Sequence, residues 1–150
     1  MSVSSVGKNY FYLSSIELDS HANMVVIGKQ AFVFSHSGKY ADVQAFAKEV
    51  KVLSEVPIVD DVIAYDCKSS GETYLLVVIN ALCVPTMDIN LIPAFVSREA
   101  GLIFNDTPKI NCKDPSVKDH SLFDEEIGMI IPFTLNGTFS MFETSSLTED

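Results

Sequence analysis

Short apolar runs separated by Gly, Ser, Asn, Asp and Pro dominate the chain, and most of them read as strands. Residues 10–18 form one such run. Residues 24–27 form a second, closed by Gly28-Lys29, and residues 31–34 a third, followed by a turn signal at residues 35–39. Residues 42–52 alternate loosely and fit either a strand pair or a short helix. The clearest hairpin joins residues 56–65 to residues 73–81 through a loop with Gly71 late in it. Within it Val77-Val78-Ile79 is continuous, which predicts burial on both faces.

Residues 83–92 lead to the one helix the pattern predicts, at about 93–100. Pro93 stands at its first position and Gly101 just past its end. Residues 102–104 resume a strand, and residues 109–120 form a polar loop. A C-terminal hairpin is expected from residues 128–135 and 138–143 around Asn136-Gly137, since a type I′ turn needs φ > 0 at both central residues. The expected domain is mainly β, a closed or partly closed barrel over residues 10–143. Residues 1–9 read as a flexible Ser-rich lead-in and residues 144–150 as a frayed linker.

Composition narrows the function. The chain has 150 residues, the size of one domain, with 47% hydrophobic residues and a formal charge of −10. That field repels a phosphate backbone, so nucleic acid is not an expected partner. No apolar run approaches the roughly 20 residues of a membrane span, and no basic segment followed by an apolar core marks a secretory signal. Cys67, Cys83 and Cys112 lack Cys-x-x-Cys spacing and fit a reducing compartment, as small core or loop residues. His21, His36 and His120 are scattered, so no metal and no cofactor is expected. The sequons at Asn105 and Asn136 read as turn chemistry.

One segment carries candidate chemistry. Asp19-Ser20-His21-Ala22-Asn23 lies between two apolar runs, which places a carboxylate at the tip of a strand–loop–strand. By itself this reads as an Asx turn. Later pieces give it company: Val84-Pro85, then Asn90-Leu91-Ile92, a short helix and a strand. Taken together, this order resembles the retropepsin-like aspartic protease segment of copia-type LTR-retrotransposon polyproteins, over about residues 10–143. In that family an Asp-Ser-Gly-Ala loop precedes a Val-Pro-x-x-x-x-Asn-Leu-Leu stretch.

The resemblance implies a small β-barrel that dimerises, each subunit giving one aspartate, because two close carboxylates share a proton that neither would hold alone. Asp19 would be the catalytic acid/base and Ser20 would brace the pair of loops. Ala22 agrees with the family, whereas His21 stands where it has glycine. The implied partners are a second copy of the chain and a polyprotein peptide, and the implied setting is the cytoplasm or a virus-like particle. A flap would fall within residues 41–62, without a glycine-rich tip. The competing expectation is an inactive remnant that serves as a dimerisation or binding module, and a third is an unrelated β-rich interaction domain. Asp60, Asp61, Asp66 and Asp88, the other acids weighed, read as loop or solvated strand-end carboxylates.

Overall fold

The computed structural model describes residues 1–6, 10–18, 23–43, 53–136 and 139–147. Among them the chain is mainly β, with one short α-helix. Strands β1 (Ser2–Val6), β2 (Tyr10–Leu18), β3 (Val26–Ile27), β4 (Phe32–Val43), β5 (Leu53–Asp66), β6 (Thr73–Cys83) and β7 (Asn90–Ile92) precede α1 (Ala94–Glu99). Strands β8 (Ile103–Asn105), β9 (Ser121–Asp124), β10 (Met129–Pro132), β11 (Thr134–Asn136) and β12 (Phe139–Leu147) follow it. The larger sheet runs β1-β6-β3-β7-β2-β12-β5-β4, with β11 on β12 and a further β5–β6 pairing. A smaller sheet runs β10-β9-β8.

Period-2 burial builds the core. Val59, Asp61 and Ile63 of β5, and Tyr74, Leu76 and Val78 of β6, all face inward. Ile16, Ile27, Ile92 and Phe142 join them from other strands of the large sheet, and Leu122, Met129 and Ile131 from the small one, making one continuous cluster. Each such aliphatic side chain contributes about 1.5–3 kcal/mol relative to exposure. Phe133 couples the two sheets, 5.4 Å from Phe104 and 6.2 Å from Phe142 between ring centroids.

Several expectations hold in this architecture. Residues 10–18 form a strand, β5 and β6 form the anticipated hairpin, and the helix follows Pro93 and ends before Gly101, which sits at φ +84°. The C-terminal hairpin forms only in part: residues 134–136 pair with β12, with Asn136 opposite Phe139, whereas residues 129–132 of the expected first arm pair with β9 in the small sheet. Asn136 therefore belongs to the strand, and residues 137–138 lie outside the described residues.

Other expectations change. The turn signal at residues 35–39 lies inside β4, where the register slips between His36 and Tyr40 and Gly38 takes φ +77°. Those turn residues make a bulge, with Ser37 Oγ donating to the Ile58 carbonyl and accepting from the Lys39 N–H. Ile79 is 49% exposed, so the run at residues 77–79 is not buried on both faces. There the pairing of β5 with β6 shifts register, and Asn80 adopts φ 59°. The lead-in contains β1, which pairs along β6 from Ser2↔Val77 to Val6↔Thr73. The presumed linker contributes to β12, with Thr144 and Ser145 buried. Residues 44–52, which include the stiff segment of the expected flap tip, lie outside the described residues.

Candidate active site

Asp19, Ser20, His21 and Ala22 lie outside the described residues, so the site is defined by what flanks them. β2 delivers the chain to Leu18, and β3 takes it away from Val26. Between these two strands lies β7. It pairs parallel with β2, Ile16↔Asn90, Glu17↔Leu91 and Leu18↔Ile92, and antiparallel with β3 at Val26↔Leu91. The residue before Asp19 is thus in register with the residue before Pro93 and α1. Both Leu18 and Ile92 are buried, at 7% and 2% exposure, so this junction is anchored in the core.

Local chemistry fixes β7 in its slot. The Gly28 N–H donates to Asn90 Oδ1 at 2.8 Å, a buried bond across 62 residues of sequence. A Cβ at Gly28 would stand 2.5 Å from the Met87 carbonyl oxygen and 2.7 Å from that of Ile89. Only glycine lets the two segments come so close. The Lys29 N–H donates to the Met87 carbonyl at 2.9 Å, and Lys29 Nζ meets Asp88 at 2.6 Å. Gly28-Lys29 read as an isolated pair in the sequence, and its docking role emerges only when the fold brings residues 87–90 to it.

A cavity of about 420 Å³ opens beside the residues that follow the loop, lined in part by Asn23, Met24, Val25, Ile79 and Phe95. It has the volume of a small ligand pocket. Strand β4 is the terminal strand of the large sheet, paired only with β5 among the described residues.

The other carboxylates separate sharply. Asp60 Oδ1 accepts the Asn80 N–H at 3.0 Å, Asp66 accepts the Thr73 hydroxyl at 2.6 Å, and Asp88 pairs with Lys29, which holds its carboxyl below the usual range. Asp61 departs from the solvated strand-end reading. It is 0% exposed, and neither carboxylate oxygen has a hydrogen-bond partner. Burial pushes its pKa from 3.8 up to about 7, and the nearby backbone N–H groups of Phe32 and Val62, short of bonding geometry, offset this only in part. The sequence did carry a signal for this, because Asp61 shares its strand face with Val59 and Ile63.

Of the cysteines, Cys67 is buried and Cys83 and Cys112 are half-buried. Cys67 is 2% exposed, with Sγ 3.2 Å from Ser69 Oγ. Burial pushes its thiol up, but hydrogen bonding to the Ser69 and Ser70 hydroxyls and to the Ile130 and Ser70 backbone together bring it down to about 7. Cys83 is pushed up by burial and by the Asp61 carboxylate. All three cysteines are free. His120 is buried at the head of β9, its Nε2 2.9 Å from Ser140 Oγ and its ring edge-on to Phe133 at 5.4 Å. Burial, with Lys109 nearby, holds its pKa below 6.5. Asn105 behaves as turn chemistry, its Oδ1 accepting the Thr107 N–H at 3.3 Å. No helix among the described residues is long and apolar enough to cross a membrane.

No protein-family model, no curated protein and no solved structure matches the chain.

Proposed function

We propose that this chain is a retropepsin-like aspartic endopeptidase domain of a polyprotein, acting as a homodimer with Asp19 from each subunit. The observation that carries the reading is the seating of β7 between the strands that enter and leave the Asp19 loop, with Leu18 opposite Ile92. That is the juxtaposition the resemblance requires of the Asp-Ser loop and the Asn90-Leu91-Ile92 segment. A circuit of pairings, β6–β3–β7–β2–β12–β5 and back to β6, supports the small closed barrel of that family. The cavity beside Asn23 lies next to the residues that follow the Asp19 loop, where a peptide substrate would have to bind.

In this mechanism one Asp19 carboxylate takes a proton from water, while its partner, protonated, donates to the carbonyl oxygen of the scissile bond. Close approach across the two-fold axis separates the apparent pKa values of the pair. Activity then peaks at mildly acid pH. Asp19→Asn should abolish cleavage of a polyprotein fragment while leaving the sedimentation coefficient of the dimer unchanged. Unchanged cleavage in that variant, or a strictly monomeric protein, overturns the proposal.

His21 favours a second reading, an inactive domain that keeps the dimer as a binding module. An imidazole where glycine gives room crowds the loop and can pair with Asp19, which disfavours the shared proton. The variant His21→Gly distinguishes the two. Cleavage that appears only in the variant supports the module, and equal cleavage in both proteins supports the enzyme.

A further inference from the structure

We propose that Asp61 is a proton-operated latch: with its carboxyl protonated, the β4–β5 hairpin is clamped against β6, and loss of that proton loosens the hairpin. Three features of its placement carry this. Asp61 stands at a three-strand junction, opposite Val33 of β4 and Val78 of β6. Its side chain is fully enclosed and neither oxygen is in a hydrogen bond, so the backbone N–H groups of Phe32 and Val62 offset the cost of an ionised carboxylate there only in part. The backbone is already interrupted on both sides, by register shifts between Val33 and Ser35 and between Val59 and Asp61. A shifted ladder gives way more easily than a continuous one, and β4 has no pairing besides β5 among the described residues.

The surroundings leave the proton as the control. From β6 the titratable group that senses Asp61 is the Cys83 thiol, itself neutral because burial and Asp61 push its pKa up. The β4 positions around Val33 are Phe32 and Phe34, which carry no charge, and Asp60 is engaged by the Asn80 N–H. No cation is paired with Asp61 among the described residues.

The sign follows from linkage. In the closed hairpin the carboxyl keeps its proton up to about 7, whereas in an opened, hydrated hairpin it ionises near 3.8. Between those values opening releases a proton, so the open fraction rises roughly tenfold per pH unit and levels off above neutrality. The latch is closed in acid and slack at neutral pH. It belongs to the hairpin itself and stands whether or not the Asp19 loop cleaves peptides.

The test is amide hydrogen exchange read residue by residue at pH 5 and pH 7, corrected for intrinsic exchange. Amides of Phe32, Val33 and Val62 should lose roughly 10- to 100-fold protection at pH 7. Those of Leu122 and Ile131 in the small sheet should not lose protection at pH 7. In Asp61→Asn, which cannot ionise, the pH dependence should vanish. If that variant does not fold, ¹³C titration of the wild-type Asp61 carboxyl replaces it, with a midpoint near neutrality expected. Equal pH dependence in Asp61→Asn, unchanged protection in the wild type, or a carboxyl titrating near 4 overturns the latch.

Discussion

Two polar sites, one partly buried and one fully enclosed, answer the same problem in opposite ways. At the corner between residues 105 and 121 the polar groups named here have partners. His120 meets Ser140, Asn105 Nδ2 donates to Asp119, the Ser116 N–H donates to Asp119, and Ser121 Oγ donates to the Lys118 carbonyl. At the β4–β5–β6 junction Asp61 has none. A satisfied corner costs little and fixes geometry, while an orphaned carboxyl costs stability that the surrounding core must cover. The lesson is that burial alone marks neither structure nor function. What separates the two sites is the account of donors and acceptors.

The largest expected effect breaks the contrast at Asp61. Replacing the carboxyl by a methyl, Asp61→Val, keeps a similar volume and removes both unsatisfied oxygens. The variant should be more stable than wild type by about 2–4 kcal/mol at pH 8. Because the folded pKa is raised, the wild-type carboxyl is tolerated below about 4 and becomes destabilising as pH climbs towards 7. The gain should therefore shrink in acid. Urea midpoints at pH 4.5 and pH 8 check it, and a loss of stability at pH 8 would mean that Asp61 is satisfied in solution.

A smaller effect sharpens the other side. Ser140→Ala leaves His120 Nε2 without its partner and should cost about 1 kcal/mol. The pH dependence here has the opposite sign. His120 is held below 6.5, so its contribution is present above that value and is lost as pH falls through the depressed folded pKa. Wild-type stability between pH 4 and 7 thus sums two opposed trends. Asp61→Val should expose the histidine trend alone, as stability that rises with pH through the region near 6, read from urea midpoints. A flat profile in that variant would remove His120 as a titrating group.

The same contrast explains what the sequence could reveal. Strands rich in aliphatic and aromatic residues, such as β2, β5 and β6, and the helix framed by Pro93 and Gly101 were legible because their composition and punctuation are local. β1 was hidden because a Ser-rich strand at a sheet margin pairs through its backbone, which composition does not report. Ser35 to Lys39 carried true turn chemistry, spent on a bulge, because pairing with β5 carries the strand past it. Gly28 was opaque for a different reason. Its constraint comes from carbonyls at Met87 and Ile89, about 60 residues away, and no local pattern encodes that distance. The Asp19 loop was the reverse: it and the apolar runs that frame it were conspicuous in sequence, whereas the seating of β7 between those strands was not.

The smallest effect concerns Asp119, a half-exposed carboxylate of the satisfied corner. The Ser116 N–H, 2.6 Å from Oδ2, holds its pKa below 3.8, and the Asn105 amide adds to this through Oδ1 at 3.1 Å. A depressed carboxylate contributes stability that is complete above its unfolded pKa and lost as pH falls through the folded one. Asp119→Asn should leave thermal stability at pH 7 nearly unchanged, because solvent screens the group and an amide oxygen still accepts from Ser116. Below pH 4 the wild type should lose slightly more stability with acid than the variant does. Such a result would set a half-exposed, partnered acid against Asp61, an enclosed one outside any hydrogen bond, with opposite pH slopes from the same functional group. Equal slopes in wild type and Asp119→Asn would show that the Ser116 contact holds no charge in solution, and the contrast would then rest on His120 alone.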